Sequence, residues 1–409
     1  MLENVGDRIQ LTLPLEGTMG RESPYWRWFV GSAHVGDDPN RTKFSYLPPE
    51  HMLYLDHNGP VGLVRSRVLG ASFSNFAGVG RLTADFAVLG ATHLRYSKIN
   101  GLRTELPALA SWTDLSSVSM EPISNPEGRH LGWDVFLRSP ENIRLSRSLN
   151  LSLSPSWATE NAGHGRSVSV LDRFAITTHR KRPADWGDHP GLHRHIRDLL
   201  SISAWRPLGF SRIEVQRLDD PERAMAGNKL GDAWNQVVTS RLPMGSEEPA
   251  SFDYLFRFSD IGTKGVAAWL RLIKDYHRAM GPLVALLDQK DAYLETRLVQ
   301  SCIALEALGY QLALEAGRIS GRRKREVTYL RALKEIQQNL VVSPLANWKD
   351  WQARSNDCYR GTKHPDNDLP DTADQLRTYR ENLLVLRYWV AGRLGVGADQ
   401  LRKEADRGR

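Results

Sequence analysis

From about residue 8 to 217 apolar residues recur at every second position. Ile9, Leu11, Leu13 and Leu15 alternate with polar partners, as do Leu82, Ala84, Phe86 and Val88. The same period runs through Trp133, Val135 and Leu137, then Ile143, Leu145, Leu149, Leu151 and Leu153, then Val168 and Val170. A period of two places alternate side chains on one face of a half-buried strand. Asn58-Gly59, between "MLYLD" and "VGLV", predicts a hairpin, because both residues tolerate positive φ at the centre of a tight turn. One interruption is helical. In "HPGLHRHIRDLLSIS", His189 to Ser203, residues Leu192, Ile196, Leu199 and Leu200 follow helical spacing. The strand "SRIEVQR" comes next. Many short strands with frequent turns predict an antiparallel β-sandwich or barrel-like domain.

An acidic, proline-bearing stretch from Arg241 to Asp253 then separates two kinds of pattern. Beyond it the period is 3.6. "GTKGVAAWLRLIKDYHRAM" reads as one helix. "AYLETRLVQSCIALEALGYQLALEAG" is a long one, with Leu294, Leu298, Cys302, Leu305, Leu308 and Leu312 as its apolar stripe. "KREVTYLRALKEIQQNL" is a third, and a fourth is expected to begin at Ser343-Pro344, a cap residue before a proline. The last is expected from Thr372 to about Leu394, with Thr372 and Gln375 at capping-box spacing and Gly395 as its stop. The expected architecture is two-domain α+β: a β-rich unit over 1–250 and a helical bundle over 256–398.

Composition narrows the class. Only two cysteines occur, Cys302 and Cys358, so neither a disulfide framework nor a four-cysteine zinc site is possible, which fits a reducing cytoplasm. The start "MLENVGDRIQLTLPLEG" lacks the basic and apolar regions of a signal peptide, and no run of about 18 apolar residues suggests a membrane span. The net charge of +7 favours a polyanionic partner such as RNA, DNA or an anionic membrane surface, and is also compatible with an ordinary basic soluble protein. No phosphate-binding P-loop, dinucleotide fingerprint or serine nucleophile elbow is present, so no cofactor is expected. His189, His193 and His195 are spaced i, i+4 and i+6, which does not align three metal ligands on a helix, and no metal is expected.

The densest chemistry lies in "RSNDCYRGTKHPDNDLP", Arg354 to Pro370. Leu345, Trp348, Trp351, Ser355 and Tyr359 set the buried face of the fourth helix. Asn356, Arg360 and His364 follow at i, i+4 and i+8, stacking roughly 6 Å apart per step if the helix persists. Gly361 and Pro365 predict that it frays there, with His364 at a C-terminus whose dipole attracts positive charge. A solvated, dipole-compatible helix end is the plain structural reading.

The helical half resembles a HEPN domain, through "RLVQSCIALEALGY", "NDCYRGTKHPD" and "RENLLVLRYWVAGRLG". More narrowly, with "INGLRTELPALASWTD" and "FRFSDIGTKGVAAWLRL", most of the chain is similar to the ApeA-like group of bacterial defence proteins, which join an N-terminal β-rich domain to a C-terminal HEPN domain. The resemblance implies a metal-independent endoribonuclease of anti-phage defence, acting by abortive infection. Its site would assemble across a homodimer, with RNA, tRNA among the candidates, as substrate and a phage-derived trigger. His364 would move protons at the RNA 2′-hydroxyl or the leaving oxygen, a task suited to imidazole. Arg360 would stabilise charge on phosphorus through its planar donor fork, and Asn356 would orient the phosphate or the histidine. Glu306, Arg354 and Lys363 are supporting candidates, with Glu306 expected to pair with Arg354, Arg360 or His364.

One departure stands out. The family's arginine precedes its histidine with four to six residues between, and that window here holds Asp357, Cys358 and Tyr359. Arg360 has three residues between. Arg354, about 15 Å away along a straight helix, is too far to share one phosphate. The alternative reading is a non-catalytic HEPN module for RNA binding or dimerisation, with a ligand-sensing β domain. A basic turn, Arg318, Arg322, Arg323, Lys324 and Arg325, suits an RNA backbone or simply solvent. "HRKRP", His179 to Pro183, is a second basic spot read as solvated surface.

Overall fold

The computed structural model describes residues 1–6, 8–17, 23–29, 32–33, 44–45, 47–74, 77–162, 167–245, 252–289, 291–319 and 327–407. Strands β1 (Leu2–Asn4) and β2 (Ile9–Glu16) come first, then the two-residue pair β3 (Ser32–Ala33) and β4 (Phe44–Ser45). Strands β5 (His51–Asp56), β6 (Gly59–Val64), β7 (Arg67–Phe73), β8 (Ala77–Ala84) and β9 (Phe86–Leu89) follow. After β10 (Lys98–Glu105) come the short helix α1 (Ala108–Thr113) and the hairpin of β11 (Val118–Ser124) and β12 (His130–Leu137). The unit is completed by β13 (Ile143–Ser146), β14 (Leu151–Ala162), β15 (Ser167–Asp185), helix α2 (Pro190–Ala204), β16 (Arg212–Gln216), β17 (Glu222–Arg223), β18 (Lys229–Gly231) and β19 (Asn235–Thr239).

Nine strands form one antiparallel sheet in the order β13-β14-β15-β10-β16-β19-β9-β6-β5, and β1-β2-β8-β7 form a second. Ile9, Leu11, Leu82 and Ala84 of the second sheet close a small core on Val61, Leu63 and Ala87 of the first. The sandwich reading therefore holds, and no sheet among the described residues closes into a barrel. The β5–β6 hairpin forms, but Asp56 pairs with Gly59, so His57 and Asn58 make the turn and the positive φ, +114°, falls on Gly59. The alternation in β12 does not mark burial on one face. Trp133 is 53 % exposed and Val135 44 %, because among the described residues β11 and β12 form a two-stranded sheet of their own.

Helix α2 covers the inner face of the large sheet. Ile196, Leu199 and Leu200 pack with Leu102, Leu151, Leu153, Ile176, Ile213 and Val215 in one core. Beneath the helix, Thr178 Oγ1 lies 2.9 Å from both His189 Nδ1 and His193 Nε2, and His193 Nδ1 lies 2.7 Å from Thr104 Oγ1. Burial pushes the His189 pKa down to about 4 and that of His193 down to about 3.

The C-terminal part is helical: α3 (Phe258–Asp275), α4 (His277–Asp288), α5 (Leu294–Glu315), α6 (Tyr329–Asn339), α7 (Trp348–Lys363), α8 (Thr372–Arg393) and α9 (Ala398–Arg407). The helix expected across 262–280 is broken at Tyr276. Its ring packs against Trp389 at 5.0 Å and its hydroxyl accepts from Arg393, contacts that override local helix preference. The fourth helix begins later than expected. Ser343 closes a turn on Leu345, and Asn347 caps α7 by accepting from the Asp350 N–H. In the same way Asp371, rather than Thr372, caps α8.

Helix α5 is central, packed on α4, α6, α7 and α8. Gly309 lets α6 come close, since a Cβ there would meet the Ala332 backbone at 2.4 Å. In the middle of the bundle the buried Asn382 amide accepts from Trp351 Nε1 (2.9 Å) and Ser355 Oγ (3.1 Å) and donates to Ser301 Oγ (2.9 Å). Tyr329 joins this network through Ser355 at 2.8 Å. One core runs without interruption from the large sheet into the bundle. Trp112 and Ser203 both donate to the Phe256 carbonyl, and Trp269 donates to the carbonyl of His195 in α2.

Candidate functional site

Helix α7 is held by its apolar face. Trp348, Trp351, Ser355 and Tyr359 are buried, as their spacing predicts, and Cys358 is buried with them. The helix runs through Gly361 to Lys363 and stops at His364, which turns extended (φ −125°, ψ 112°) while its N–H still reaches the Arg360 carbonyl at 2.9 Å. Gly361 does not mark fraying. A Cβ there would meet Asp368 O at 2.6 Å and Leu369 Cα at 2.9 Å, so the missing side chain is what lets the following segment fold back across the helix. Two contacts fasten that return. The Asn367 N–H donates to the His364 carbonyl at 3.1 Å, and Arg360 Nη2 donates to Asn367 Oδ1 at 3.0 Å.

Arg360, Lys363 and His364 are thus brought together, exposed, at the C-terminal end of α7. Asn356 lies one turn back and half-buried, and its amide makes a long hydrogen bond to Asp357 at 3.4 Å. Arg360 and His364 are a turn apart, with the His364 N–H bonded to the Arg360 carbonyl. Glu306 pairs with none of its expected partners. It accepts from Tyr359 OH at 2.9 Å, and that hydroxyl accepts from Lys363 Nζ at 3.0 Å. Burial pushes the Tyr359 hydroxyl pKa up, with Glu306 adding to the shift, and the hydrogen bond to Tyr359 raises that of Lys363. Tyr359 is the member of this group that periodicity alone did not mark as polar machinery. Its i, i+4 spacing to Lys363 was the available signal.

Arg354 is elsewhere. It is 9 % exposed, bonds Asp350 at 2.5 Å, Glu381 and Thr378 Oγ1 (3.1 Å), and ties α7 to α8. Arg318 is exposed and pairs with Glu335 and, at 2.7 Å, with Gln338. Arg322, Arg323, Lys324 and Arg325 lie outside the described residues.

Beside this end of the bundle, α3, α4 and α5 enclose a groove of ≈ 520 Å³. Tyr276, His277, Arg278, Ile303 and Tyr310 line it, and Glu306 stands between the groove and the Tyr359–Lys363 pair. Both cysteines are buried, and burial pushes the Cys302 thiol up to about 12. Among the described residues no cluster of three His, Cys, Asp or Glu side chains could hold a metal ion. No helix among them is long and apolar enough to cross a membrane. The exposed end of α7 therefore offers cations and an imidazole, a set suited to phosphate binding and proton transfer.

The family model of ApeA N-terminal domain 1 matches residues 47–272, which take in all nine strands of the large sheet, α2 and nearly all of α3. No curated protein and no solved structure matches the chain.

Proposed function

The chain belongs to the family defined by ApeA N-terminal domain 1, and from that premise we propose that it is an RNA-cleaving effector of bacterial anti-phage defence. In this reading the helices beyond residue 256 are a HEPN module that works as a homodimer on cytoplasmic RNA. The β-rich domain over 1–250 restrains it until an infection cue arrives. The observation that carries the reading is that Arg360 and His364 stand one turn apart at an exposed helix end. His364 draws the proton from a 2′-hydroxyl or supplies one to the leaving 5′-oxygen. Arg360 binds the non-bridging oxygens as charge builds on phosphorus, with Asn356 and Lys363 beside it. Attack by the 2′-oxygen forms its bond to phosphorus as the bond to the 5′-oxygen breaks, which yields a 2′,3′-cyclic phosphate and a 5′-hydroxyl. Glu306, through Tyr359, holds Lys363 in place.

A second reading has its own observation. Arg360 is engaged by Asn367 and Arg354 is locked into the α7–α8 contact, so neither guanidinium is held ready for a phosphate. That arrangement supports a module that binds RNA or dimerises without cutting.

The deciding experiment incubates total RNA and purified tRNA with the protein in EDTA, comparing wild type, His364→Ala and Arg360→Ala, with and without extract from phage-infected cells. Cleavage by wild type, with cyclic-phosphate ends and loss in both variants, supports the nuclease. RNA binding without cleavage under either condition, unchanged by His364→Ala, rejects it for the binding module.

A further inference from the structure

The outer face of the large sheet carries polar side chains where an uncovered sheet would place them, yet two of them, Glu214 and Gln216, are buried. Two cross-strand rows define it. Ser152, Thr177, Arg103 and Glu214 are paired neighbours on β14, β15, β10 and β16, and in the adjacent row Gly101 sits between His179 and Gln216. Gly101 leaves a dent at the centre of this face. A Cβ there would lie 2.9 Å from the Trp234 ring, so the glycine lets the indole lie down on the sheet.

The first row satisfies itself. Arg103 Nε donates to Glu214 at 2.7 Å and stands over the Trp234 ring at 4.7 Å, Arg212 holds the other carboxylate oxygen at 2.9 Å, and Thr177 donates to Ser154 at 3.1 Å. The second row does not. Gln216 is 3 % exposed, and its carboxamide oxygen is buried with no hydrogen-bond partner among the described residues. Such an acceptor costs about 1–3 kcal/mol unless something donates to it. Gln216, Trp234 and His179 line a cavity of ≈ 390 Å³, within the range of small-molecule sites, roughly 300–1,000 Å³. At its rim Arg144 is exposed and has no ion-pair partner among the described residues.

We infer that this cavity is a binding site for a nucleoside monophosphate. The base supplies the N–H that Gln216 lacks and lies along the Trp234 wall, and the phosphate meets Arg144 at the mouth. These three needs, a deep hydrogen-bond donor, a planar apolar body and a terminal anion, are met together by a nucleotide, whereas a free sugar lacks the anion and inorganic phosphate lacks the rest. The site lies on the β-rich domain and uses none of the residues at the end of α7.

Calorimetric titration of the full chain with AMP, GMP, CMP and UMP tests this, with the matching nucleosides and inorganic phosphate as separate arms. At least one monophosphate is expected to bind saturably. Its nucleoside and phosphate alone should each bind at least about tenfold more weakly, the equivalent of one good polar contact. Gln216→Leu and Arg144→Ala should each weaken binding by a similar factor, and His364→Ala should leave it unchanged. Arg144 is exposed, so its variant tests the site even where Gln216→Leu disturbs folding. Absence of binding by all four monophosphates overturns the inference. So does binding that neither substitution changes, or inorganic phosphate binding as tightly as the nucleotide. None of these outcomes depends on RNA cleavage.

Discussion

Arg387 of α8 donates to two carbonyls at the end of α2, Nε to Ile202 O at 2.9 Å and Nη2 to Ser203 O at 2.7 Å. A helix C-terminus carries partial negative charge, so the guanidinium both caps α2 and binds the bundle to the β-rich domain. Its plane also lies over the Trp205 ring at 5.2 Å. Burial lowers its pKa to about 10, which leaves it charged at neutral pH. Arg387→Gln should cost about 2–3 kcal/mol, as expected for hydrogen bonds from a charged group, and Arg387→Lys should recover only part of it. Urea unfolding at pH 7 measures both. An unchanged midpoint would show that the cap contributes nothing.

The histidines beneath α2 make stability depend on pH. Their folded pKa values, about 4 for His189 and about 3 for His193, lie below the ordinary value of 6.5. Both are therefore neutral in the folded protein, and the stabilisation is present above pH 6.5. As pH falls below that value the unfolded chain takes up protons that the folded chain cannot. Each histidine then removes about 1.4 kcal/mol per pH unit, until the pH reaches its folded pKa. Between pH 6.5 and 5 the pair should remove up to about 4 kcal/mol. His193→Gln should be less stable at pH 7 and lose less on acidification. Equal slopes for variant and wild type would refute the assignment.

Gly361→Ala places a methyl group against the Asp368 carbonyl, a backbone atom that cannot swing aside. The returning segment must move, at a cost of about 1–3 kcal/mol. Unfolding should register that loss. If the nuclease reading is correct, cleavage should fall further than the stability loss explains, because the Arg360–Asn367 contact moves as well. An alanine variant with wild-type stability would contradict the close approach.

Asn382→Leu removes the amide that satisfies Trp351, Ser355 and Ser301. Three buried polar groups lose their shared partner, and the bundle should lose about 3–5 kcal/mol. A loss below about 1 kcal/mol in chemical denaturation would mean that the network rearranges freely.

What local pattern can express, the sequence expressed. The α2 stripe, the α5 stripe and the buried face of α7 all follow from spacing, and each is buried in the fold apart from the half-buried Leu192 and Leu294 at the stripe ends. What depends on a distant partner was silent. Gly361 reads as a helix breaker until Asp368 is seen against it. Arg354 reads as a spare cation until Glu381, from the next helix, reaches it. Tyr276 breaks a helix for the sake of Trp389, more than 100 residues on. The alternation in β12 marks a strand correctly but cannot say that neither face is covered. At the end of α7 the residue types were legible, and the Glu306–Tyr359–Lys363 chain was not, because Glu306 arrives from α5.

The unbroken core sets an order on synthesis. The sheet and α2 leave the ribosome first, and Arg387, which caps α2, lies 185 residues beyond Ile202. At about 5–20 residues per second that interval lasts roughly 10–40 s. Helices α3 and α4, which pack on α2, end at Asp288, so in the later part of that interval α2 is already covered and only its last carbonyls wait for Arg387. The time these two carbonyls stay uncapped in the cell is therefore bounded by translation speed as well as by folding rate.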